Sequence, residues 1–261
     1  MSKILEIKNA SFSYDNKNDI WTNINIDIDN KDNICILGAN GCGKTTLFNC
    51  ITRNVELKSG EILLKGKNIY DYSINELAKI IGIVYQDHTV TFPYTSLEVV
   101  KMGRTPYLKV FETPSKEDTD FAFKIMQELG IEDLADKSYS NISGGQRQLV
   151  LIARTLCQKP DLILFDEPTS HLDFKNQAIV MKTIKKLASD GMTTIMISHY
   201  PSHAFKTSNR VILMGDKKII ADGAPYEVMT EDNLRLTYGV KIKINKTKEE
   251  QCLIDIDFSD I

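Results

Sequence analysis

Residues 38–46 constrain this chain more than any other stretch. They read Gly-Ala-Asn-Gly-Cys-Gly-Lys-Thr-Thr and lie between the apolar residues 34–37 and a helix-like segment at 47–51. This is the pattern G-x-x-x-x-G-K-[ST], in which a loop between a strand and a helix turns its backbone N–H groups toward an oxyanion. The pattern predicts a nucleotide-binding α/β protein.

Two side chains of this loop are predicted to act on the phosphates. Lys44 would place a positive charge on the β- and γ-phosphates, and the Thr45 hydroxyl would take one position on a Mg²⁺ ion. Cys42 is a candidate reactive thiol, because positive potential at the loop favours the thiolate. The loop residues predicted to bind the nucleotide are Gly38, Asn40, Gly41, Cys42, Gly43, Lys44, Thr45 and Thr46.

Composition excludes several classes of protein. The net charge is −3 over 261 residues, which argues against a nucleic-acid surface, since such surfaces are basic. The five cysteines are scattered without C-x-x-C spacing, which indicates reduced thiols rather than disulfides or a zinc site. We find no signal peptide and no apolar run of about 18 residues, so we expect a protein that stays in the cytoplasm.

Hydrophobic patterning divides the chain into strands and helices. Residues 4–13 and 20–28 alternate as two antiparallel strands before the phosphate loop. From residue 87 the pattern becomes helical, with a helix over 97–104 and an amphipathic helix over 117–129 that Gly130 ends. The other predicted elements are strands at 60–64 and 80–85, a helix at 75–79, a hairpin of 210–214 and 217–222, a helical stretch at 225–238 and a charged tail after 240.

Residues 143–146 begin another helix. Ser143 followed three residues later by Gln146 is a capping box, so this segment has an ordinary structural explanation. Gly144 and Gly145 nevertheless lower helix propensity by about 1 kcal/mol each relative to alanine. We therefore predict that the backbone here approaches a ligand closely, since a helix N-terminus favours an anion.

Polar residues follow two apolar strands, one ending at Asp166 and Glu167 and the other at His199. Open α/β sheets bind ligands at the carboxyl ends of their strands. Asp166 is therefore predicted to hold Mg²⁺ and Glu167 to act as general base for an attacking water. His199 would donate to a γ-phosphate oxygen. The structural alternatives are an acidic turn and a buried histidine, and Tyr14 either packs in the core or stacks on a purine.

These motifs together resemble the ATP-binding subunit of ABC transporters over roughly residues 4–240. The resemblance implies that Tyr14 stacks on adenine, that Gln86 reaches Mg²⁺ and senses nucleotide, and that Glu167 polarises water. His199 would be the switch residue on the γ-phosphate, and Asp173 would lie at a dimer seam. The motifs that carry the resemblance are the phosphate loop, Gln86, Ser143-Gly144-Gly145-Gln146, Asp166-Glu167, Asp173 and His199.

The resemblance also implies a head-to-tail homodimer with two composite ATP sites. Ser143, Gly144, Gly145 and Gln146 of one copy would cover the ATP bound to Lys44 of the other. The implied fold is α/β: a P-loop NTPase core with a mixed sheet flanked by helices, an N-terminal antiparallel β subdomain and an inserted α-helical subdomain. The implied domains are an ATP-binding core of residues 1–86 and 158–222, a helical subdomain of residues 87–157, and a C-terminal helical segment and tail of residues 223–261. The helical subdomain holds residues 143–146, which we call the signature.

Residues 95–107, 170–177 and 233–240 look like those of importers for iron-siderophore complexes, haem and cobalamin. Molybdate and tungstate importers of similar build belong to the same group. Two positions depart from its pattern: Ile142 stands where leucine is usual, and Tyr200 follows the histidine where aspartate is usual. We expect an ATPase coupled to uptake of an iron complex, siderophore or haem, with cobalamin or molybdate/tungstate as the alternative cargo.

The expected partners are permease subunits docked near Gln86 and residues 87–107, a second copy of the chain, and an external substrate-binding protein that acts indirectly. The protein would lie peripherally on the cytoplasmic face of the membrane and bind no nucleic acid. Two other classes fit less well. A soluble ABC-type ATPase clamp on nucleic acid would carry tandem nucleotide domains and a basic surface, and a P-loop kinase would have no use for the signature at residues 143–146.

Overall fold

The structure is a computed structural model that describes residues 3–85, 93–246 and 252–256. The chain separates into two compact units. The first unit combines Met1–Asp71 with Ala188–Ile261, and the second unit is Tyr72–Leu187. Among the described residues, no helix is both long and apolar enough to span a lipid bilayer. The functional division into a core, a helical subdomain and a tail stays a prediction.

The strands, in chain order, are β1 (Lys3–Ser13), β2 (Asp19–Asp29), β3 (Asn33–Gly38), β4 (Ser59–Leu64), β5 (Lys67–Asn68), β6 (Ile81–Val84), β7 (Leu162–Asp166), β8 (Thr193–Ser198), β9 (Arg210–Gly215), β10 (Lys218–Gly223), β11 (Ile242–Lys246) and β12 (Cys252–Ile256). The α-helices are α1 (Lys44–Ile51), α2 (Ile74–Ile80), α3 (Ser96–Lys101), α4 (Lys116–Glu128), α5 (Gly144–Cys157), α6 (Phe174–Ser189), α7 (Pro201–Thr207), α8 (Pro225–Val228) and α9 (Glu231–Tyr238). Short 3₁₀ helices lie at Ile69–Asp71, Met102–Tyr107, Glu132–Leu134 and Tyr139–Asn141.

The first unit contains an antiparallel sheet with the strand order β2-β1-β4-β5. β1 pairs with β2 and β4, so that Ile7 lies opposite Ile26 on one side and Ile62 on the other. All three isoleucines are buried. This is the outcome that alternation along a strand predicts when one face of the sheet packs on the core. The expected N-terminal antiparallel subdomain is confirmed.

The first unit also contains strands of a mixed sheet in the order β10-β9-β3-β8. β3 runs parallel to both β8 and β9, and β10 returns antiparallel to β9. Every residue of β8 is buried, as expected for a parallel strand that is covered on both faces. The register places Leu37 opposite Ser198. The segments that follow β3 and β8 therefore leave the sheet at the same edge.

In the second unit, β6 and β7 are parallel and helices α3, α4 and α5 pack against one another. Each helix contributes fully buried apolar side chains, among them Val100 from α3, Met126 from α4 and Val150 from α5. The α4 helix begins at a capping box formed by Ser115 and Asp118. The helical region predicted from the sequence is confirmed.

One predicted helix has a different C-terminal end. The helix expected over 97–104 is α-helical only to Lys101 and continues as a 3₁₀ helix through Tyr107, with Pro106 inside it. Proline is accepted there because its fixed φ is helical, and short 3₁₀ helices commonly follow α-helices. The segment around Pro106 is thus a tight helix.

The C-terminal region has more regular structure than expected. The predicted helical stretch at 225–238 is two helices, because Thr230 is extended and its hydroxyl accepts from the Asn233 N–H at 3.2 Å to begin α9. Two strands of the charged tail, β11 and β12, pair antiparallel with Ile242 opposite Ile256. A period-two pattern of isoleucines in β11 is consistent with this pairing.

Arg104 joins three segments of the second unit. Its Nε donates to Asp118 Oδ1 at 2.8 Å, its Nη1 donates to the Cys157 carbonyl at 3.0 Å, and its guanidinium lies 4.0 Å from the ring centre of Tyr107. The side chains of Arg104 and Asp118 are only 14% and 16% exposed. The hydrogen bond from Arg104 is the main reason that the pKa of Asp118 is lowered. Arg104 therefore holds α4 and the end of α5 to the 3₁₀ helix.

We expect Arg104→Ala to lower the free energy of unfolding by about 2–4 kcal/mol, because a mostly buried carboxylate and a carbonyl both lose their charged donor. Lys124→Ala is the matched control, since it removes an exposed pair in which Lys124 Nζ lies 3.9 Å from Glu128; its effect should stay within about 0.5 kcal/mol. Denaturant unfolding at pH 7 measures both. Equal effects in the two variants would contradict a structural role for Arg104.

Candidate nucleotide-binding site

The phosphate loop joins β3 to α1, as the sequence predicts. Gly41 and Gly43 have positive φ values of 80° and 98°, which residues with side chains rarely adopt. A Cβ at Gly43 would also lie 2.5 Å from Ile20 and 2.6 Å from Trp21. The Trp21 indole N–H donates to the Gly43 carbonyl at 3.4 Å. Strand β2 therefore fixes the loop, a contact absent from the sequence-based predictions.

Lys44 lies where the loop becomes helix α1. Its ammonium donates to the carbonyls of Gly38 at 2.8 Å and Ala39 at 3.0 Å, and the residue is only 5% exposed. Both acceptors belong to the loop itself. The positive charge is thus held against the backbone that the sequence predicts as a phosphate cradle, where it adds to the favourable field of the helix N-terminus.

Tyr14 lies on the surface, which excludes the core-packing interpretation. It is 66% exposed, although its hydroxyl shares a 3.0 Å hydrogen bond with the Thr46 hydroxyl. The ring stands edge-on to Phe12, with centroids 4.8 Å apart and planes at 84°. Two contacts therefore fix the orientation of an exposed aromatic ring beside the phosphate loop, and such a ring can stack on a base.

Positive potential at the loop does not bring the pKa of the candidate thiol Cys42 below its ordinary value. Its Sγ lies 4.0 Å from the Lys44 ammonium, and that charge favours the thiolate. Burial is the larger effect, however, and it raises the pKa of the Cys42 thiol above its ordinary value. Desolvation of the thiolate therefore outweighs the positive potential of the loop.

The remaining loop residues differ in their surroundings. A Cβ at Gly38 would lie 2.5 Å from the Met214 carbonyl oxygen, so the end of β3 packs too closely against β9 for any other residue. Thr46 is buried, whereas Asn40, Gly41 and Thr45 are exposed. A ligand can therefore approach Asn40, Gly41 and Thr45 from solvent.

His199 leaves the mixed sheet at the same edge as the phosphate loop, because β8 and β3 are parallel and in register. The imidazole is partly exposed and packs on Tyr200, with ring centroids 3.9 Å apart. Within the first unit, His199 therefore leaves the sheet at the same edge as the phosphate loop, and Tyr14 contacts Thr46 of that loop. The predicted role of His199 on a γ-phosphate stays a prediction.

The second unit holds the two predicted carboxylates at the end of β7. Asp166 is 7% exposed. Glu167 has a positive φ of 46°, and its Oε2 accepts from the Ser170 hydroxyl at 2.9 Å. A left-handed backbone at a non-glycine residue costs free energy and is often found at functional sites. The strained turn and the bond from Ser170 both restrict where the Glu167 carboxylate can point.

The signature residues begin α5 with the capping box that the sequence predicts. The Gln146 N–H donates to Ser143 Oγ at 3.3 Å, and the Ser143 N–H donates to Gln146 Oε1 at 3.0 Å. The two glycines serve different purposes. A Cβ at Gly145 would collide with the side chain of Asn176, whereas one at Gly144 would meet only Leu172, at 3.2 Å. Packing within the chain therefore accounts for Gly145, while the approach of a ligand to residues 143–146 stays a prediction.

Two predicted site residues have other outcomes. Asp173 caps α6, since its Oδ1 accepts from the Asn176 N–H at 2.7 Å. Asn176 consequently connects the turn at Asp173 with Gly145 of the signature. The place of Asp173 at a dimer seam stays a prediction, and Gln86 lies outside the described residues, as does the segment from residue 87 to 92.

A Mg²⁺ ion that is shared with phosphate needs few protein ligands. Within the described part of the chain, no cluster of three acidic, histidine or cysteine side chains is able to hold a metal. Mg²⁺ commonly takes one or two protein oxygens and receives its other ligands from phosphates and water. Thr45 belongs to the first unit and Asp166 to the second, and their common role on Mg²⁺ stays a prediction.

Comparison with known proteins agrees with these motifs. The profile of the family described as "ABC transporter" matches residues 21–170. The molybdate import ATP-binding protein MolC of Haemophilus influenzae is 34% identical over 90% of this chain and 87% of its own length. The ferric enterobactin transport ATP-binding protein FepC of Escherichia coli is 34% identical over 85% of this chain and 82% of its own length. A solved structure of an ABC transporter assigned to the metal-chelate type, in an inward-facing conformation, has a chain with a TM-score of 0.87, 30% identity and 99% coverage of both chains.

Trp21 is the single tryptophan of the chain, and its contact with Gly43 makes its fluorescence a reporter of the phosphate loop. We expect MgATP to change Trp21 emission in the wild-type protein. In Gly43→Ala the affinity for MgATP should fall by more than about tenfold, because the added Cβ would collide with Ile20 and Trp21 and displace the phosphate loop. A fluorescence titration with MgATP measures both variants.

Gly66→Ala is the matched control for this prediction. Gly66 also has a positive φ, of 77°, but an added Cβ there meets nothing within 4 Å. It should therefore keep the fluorescence response and the affinity of the wild type. Unchanged MgATP affinity in Gly43→Ala would contradict the proposed role of the loop.

Proposed function

This chain belongs to the ABC transporter family, and we propose that it is the ATP-hydrolysing subunit of an importer that moves an iron complex, a siderophore chelate or haem, through a membrane permease. The observation that carries the ATPase site is the pairing of Leu37 with Ser198, which directs the phosphate loop and His199 to one edge. Similarity to FepC and to the metal-chelate transporter supports an iron complex. Similarity to MolC makes molybdate the second candidate.

Hydrolysis in this proposal is an in-line attack of water on the γ-phosphate. Lys44 and the loop N–H groups hold the phosphates, Glu167 accepts the proton of the water, and His199 donates to a γ-phosphate oxygen. A bound Mg²⁺ would neutralise charge on the β- and γ-phosphates, with Thr45, Gln86 and Asp166 as its protein ligands. Tyr14 stacks on the adenine and adds affinity without taking part in the reaction.

A second copy of the chain completes each ATP site in this proposal. Ser143 is exposed and Gly144 is half-exposed at the first turn of α5, so the N–H groups of that turn can be approached from outside the chain. Anions bind favourably at such a helix end. The signature of one copy therefore lies over the γ-phosphate held by Lys44 of the other, and Asp173 lies near the seam.

The permease docks on the helical region in this proposal. Tyr94, Met102 and Tyr107 are each more than a third exposed, and all three fall within residues 87–107, the segment predicted to contact the permease. Aromatic residues and methionine are enriched at protein interfaces. The chain would thus lie on the cytoplasmic face of the membrane, and the external substrate-binding protein would act on it only through the permease.

We expect Glu167→Gln to reduce kcat for ATP by about 10²–10⁴-fold, because the amide cannot accept the proton of the attacking water. Glutamine still accepts a hydrogen bond from Ser170, so the turn should stay intact and MgATP should bind with near wild-type affinity. Phosphate release measures kcat, and Trp21 emission measures binding. Glu128→Gln on exposed α4 is the control and should behave as wild type; full turnover in Glu167→Gln would remove Glu167 from this role.

The cargo is tested in the complex with its own permease and substrate-binding protein, reconstituted in liposomes. We expect a ferric siderophore or haem to stimulate ATP turnover, whereas cobalamin and molybdate do not. Stimulation by molybdate alone would favour the second candidate. The rival class, an ATPase clamp on nucleic acid, predicts that the chain purifies with nucleic acid and without a multi-span membrane protein, and that result would contradict the transporter proposal.

A further inference from the structure

We propose that His203 is a positioning residue for His199, and that it acts through the Ser198 hydroxyl and the backbone of Tyr200. The inference rests on the proposed function, in which His199 contacts the γ-phosphate. His203 was not among the residues predicted from the sequence. It lies on α7, one turn after His199, and is only 8% exposed.

The Ser198 hydroxyl is the centre of a small buried network. Ser198 is the last residue of β8 and is 3% exposed. Its Oγ accepts from the Tyr200 N–H at 3.0 Å and lies 3.1 Å from His203 Nδ1. Since the backbone N–H can only donate, the hydroxyl keeps its own hydrogen for the imidazole. The Ser198 hydroxyl, the Tyr200 N–H and His203 Nδ1 then each have a hydrogen-bond partner when Nδ1 is the acceptor and the imidazole proton is on Nε2.

The charge state of His203 agrees with this assignment. Burial, followed by the nearby charges of Lys206 and His199, lowers the pKa of His203 to about 4. The imidazole is therefore neutral near pH 7 and has a lone pair on Nδ1 to accept with. A protonated His203 would donate from Nδ1, and the hydroxyl hydrogen of Ser198 would then lose the imidazole as its acceptor.

Contacts between aromatic rings add to these hydrogen bonds. The Tyr200 ring packs against both imidazoles, with its centroid 3.9 Å from that of His199 and 5.0 Å from that of His203. Tyr200 is thus held through its backbone by Ser198 and through its ring by His203. Because His199 rests on the same ring, a shift of Tyr200 moves His199.

The helix that carries His203 packs on the strand that leads into the phosphate loop. The His203 backbone N–H donates to the Tyr200 carbonyl at 3.0 Å, and the His203 carbonyl accepts from the Thr207 hydroxyl at 3.0 Å. The network therefore fixes His199 relative to the frame that also holds Lys44. A misplacement of about 1 Å at a reacting group can reduce a rate by about 100-fold, so this alignment matters for turnover.

The test uses the complete transporter complex and measures kcat and KM for ATP together with thermal stability. We expect His203→Leu and Ser198→Ala each to reduce kcat by about 10- to 100-fold with KM changed less than about twofold, because neither group touches the nucleotide. His203→Asn should recover most of the activity, since its amide oxygen can accept from Ser198. Ser202→Ala, on the same helix, is the matched control and should behave as wild type.

Combining variants distinguishes a positioning role of His203 from a purely structural role. If His203 acts through His199, then His203→Leu should cause no further loss of kcat in a His199→Ala background. Further loss in that background, failure of His203→Asn to recover activity, or unchanged kcat in His203→Leu would each overturn the inference. Full kcat in His199→Ala alone would instead show that the proposed role of His199 is wrong, and the inference would fall with it.

Discussion

The parallel pairing of β3 with β8 is the interaction on which the candidate site depends. It places Leu37 beside Ser198, so the chain leaves both strands at one edge, once into the phosphate loop and once into His199. Neighbouring contacts make this edge rigid. Trp21 holds Gly43 in place, and Ser198 holds the turn after β8. Charge-stabilising groups are most effective when they are preorganised in this way.

Local patterns predicted most of the fold. The alternation in β1 and β2, the apolar runs of β3, β7 and β8, and the capping box at Ser143 are all encoded within a few residues, so the sequence alone indicates them. The phosphate loop was found for the same reason. Some properties depend instead on neighbours far along the chain. The packing of Gly43 on Trp21, the crowding of Gly145 by Asn176 and the raised pKa of Cys42 belong to this class.

The two glycines of the signature, Gly144 and Gly145, have different surroundings. Gly145 faces inward, where Asn176 leaves no room for a side chain, while Gly144 and Ser143 face outward. The Asn176 backbone N–H in turn donates to the Asp173 carboxylate. The chain's own packing therefore fixes the orientation of the first turn of α5 and leaves the outer groups of Ser143 and Gly144 accessible. In our proposal those groups act on the nucleotide of a neighbouring copy, so the helix end needs to be rigid before it meets a ligand.

The central claim is that Lys44 and Ser143 of different copies build each ATP site. It is tested by mixing two inactive variants, Lys44→Ala and Ser143→Arg, and measuring ATP turnover of the mixture. A dimer of one variant with the other holds one site in which Lys44 and Ser143 are both intact, so the account predicts that turnover reappears on mixing and is absent from either variant alone. If both residues served a site within one chain, every site in the mixture would lack one of them, and no recovery of turnover would contradict the account.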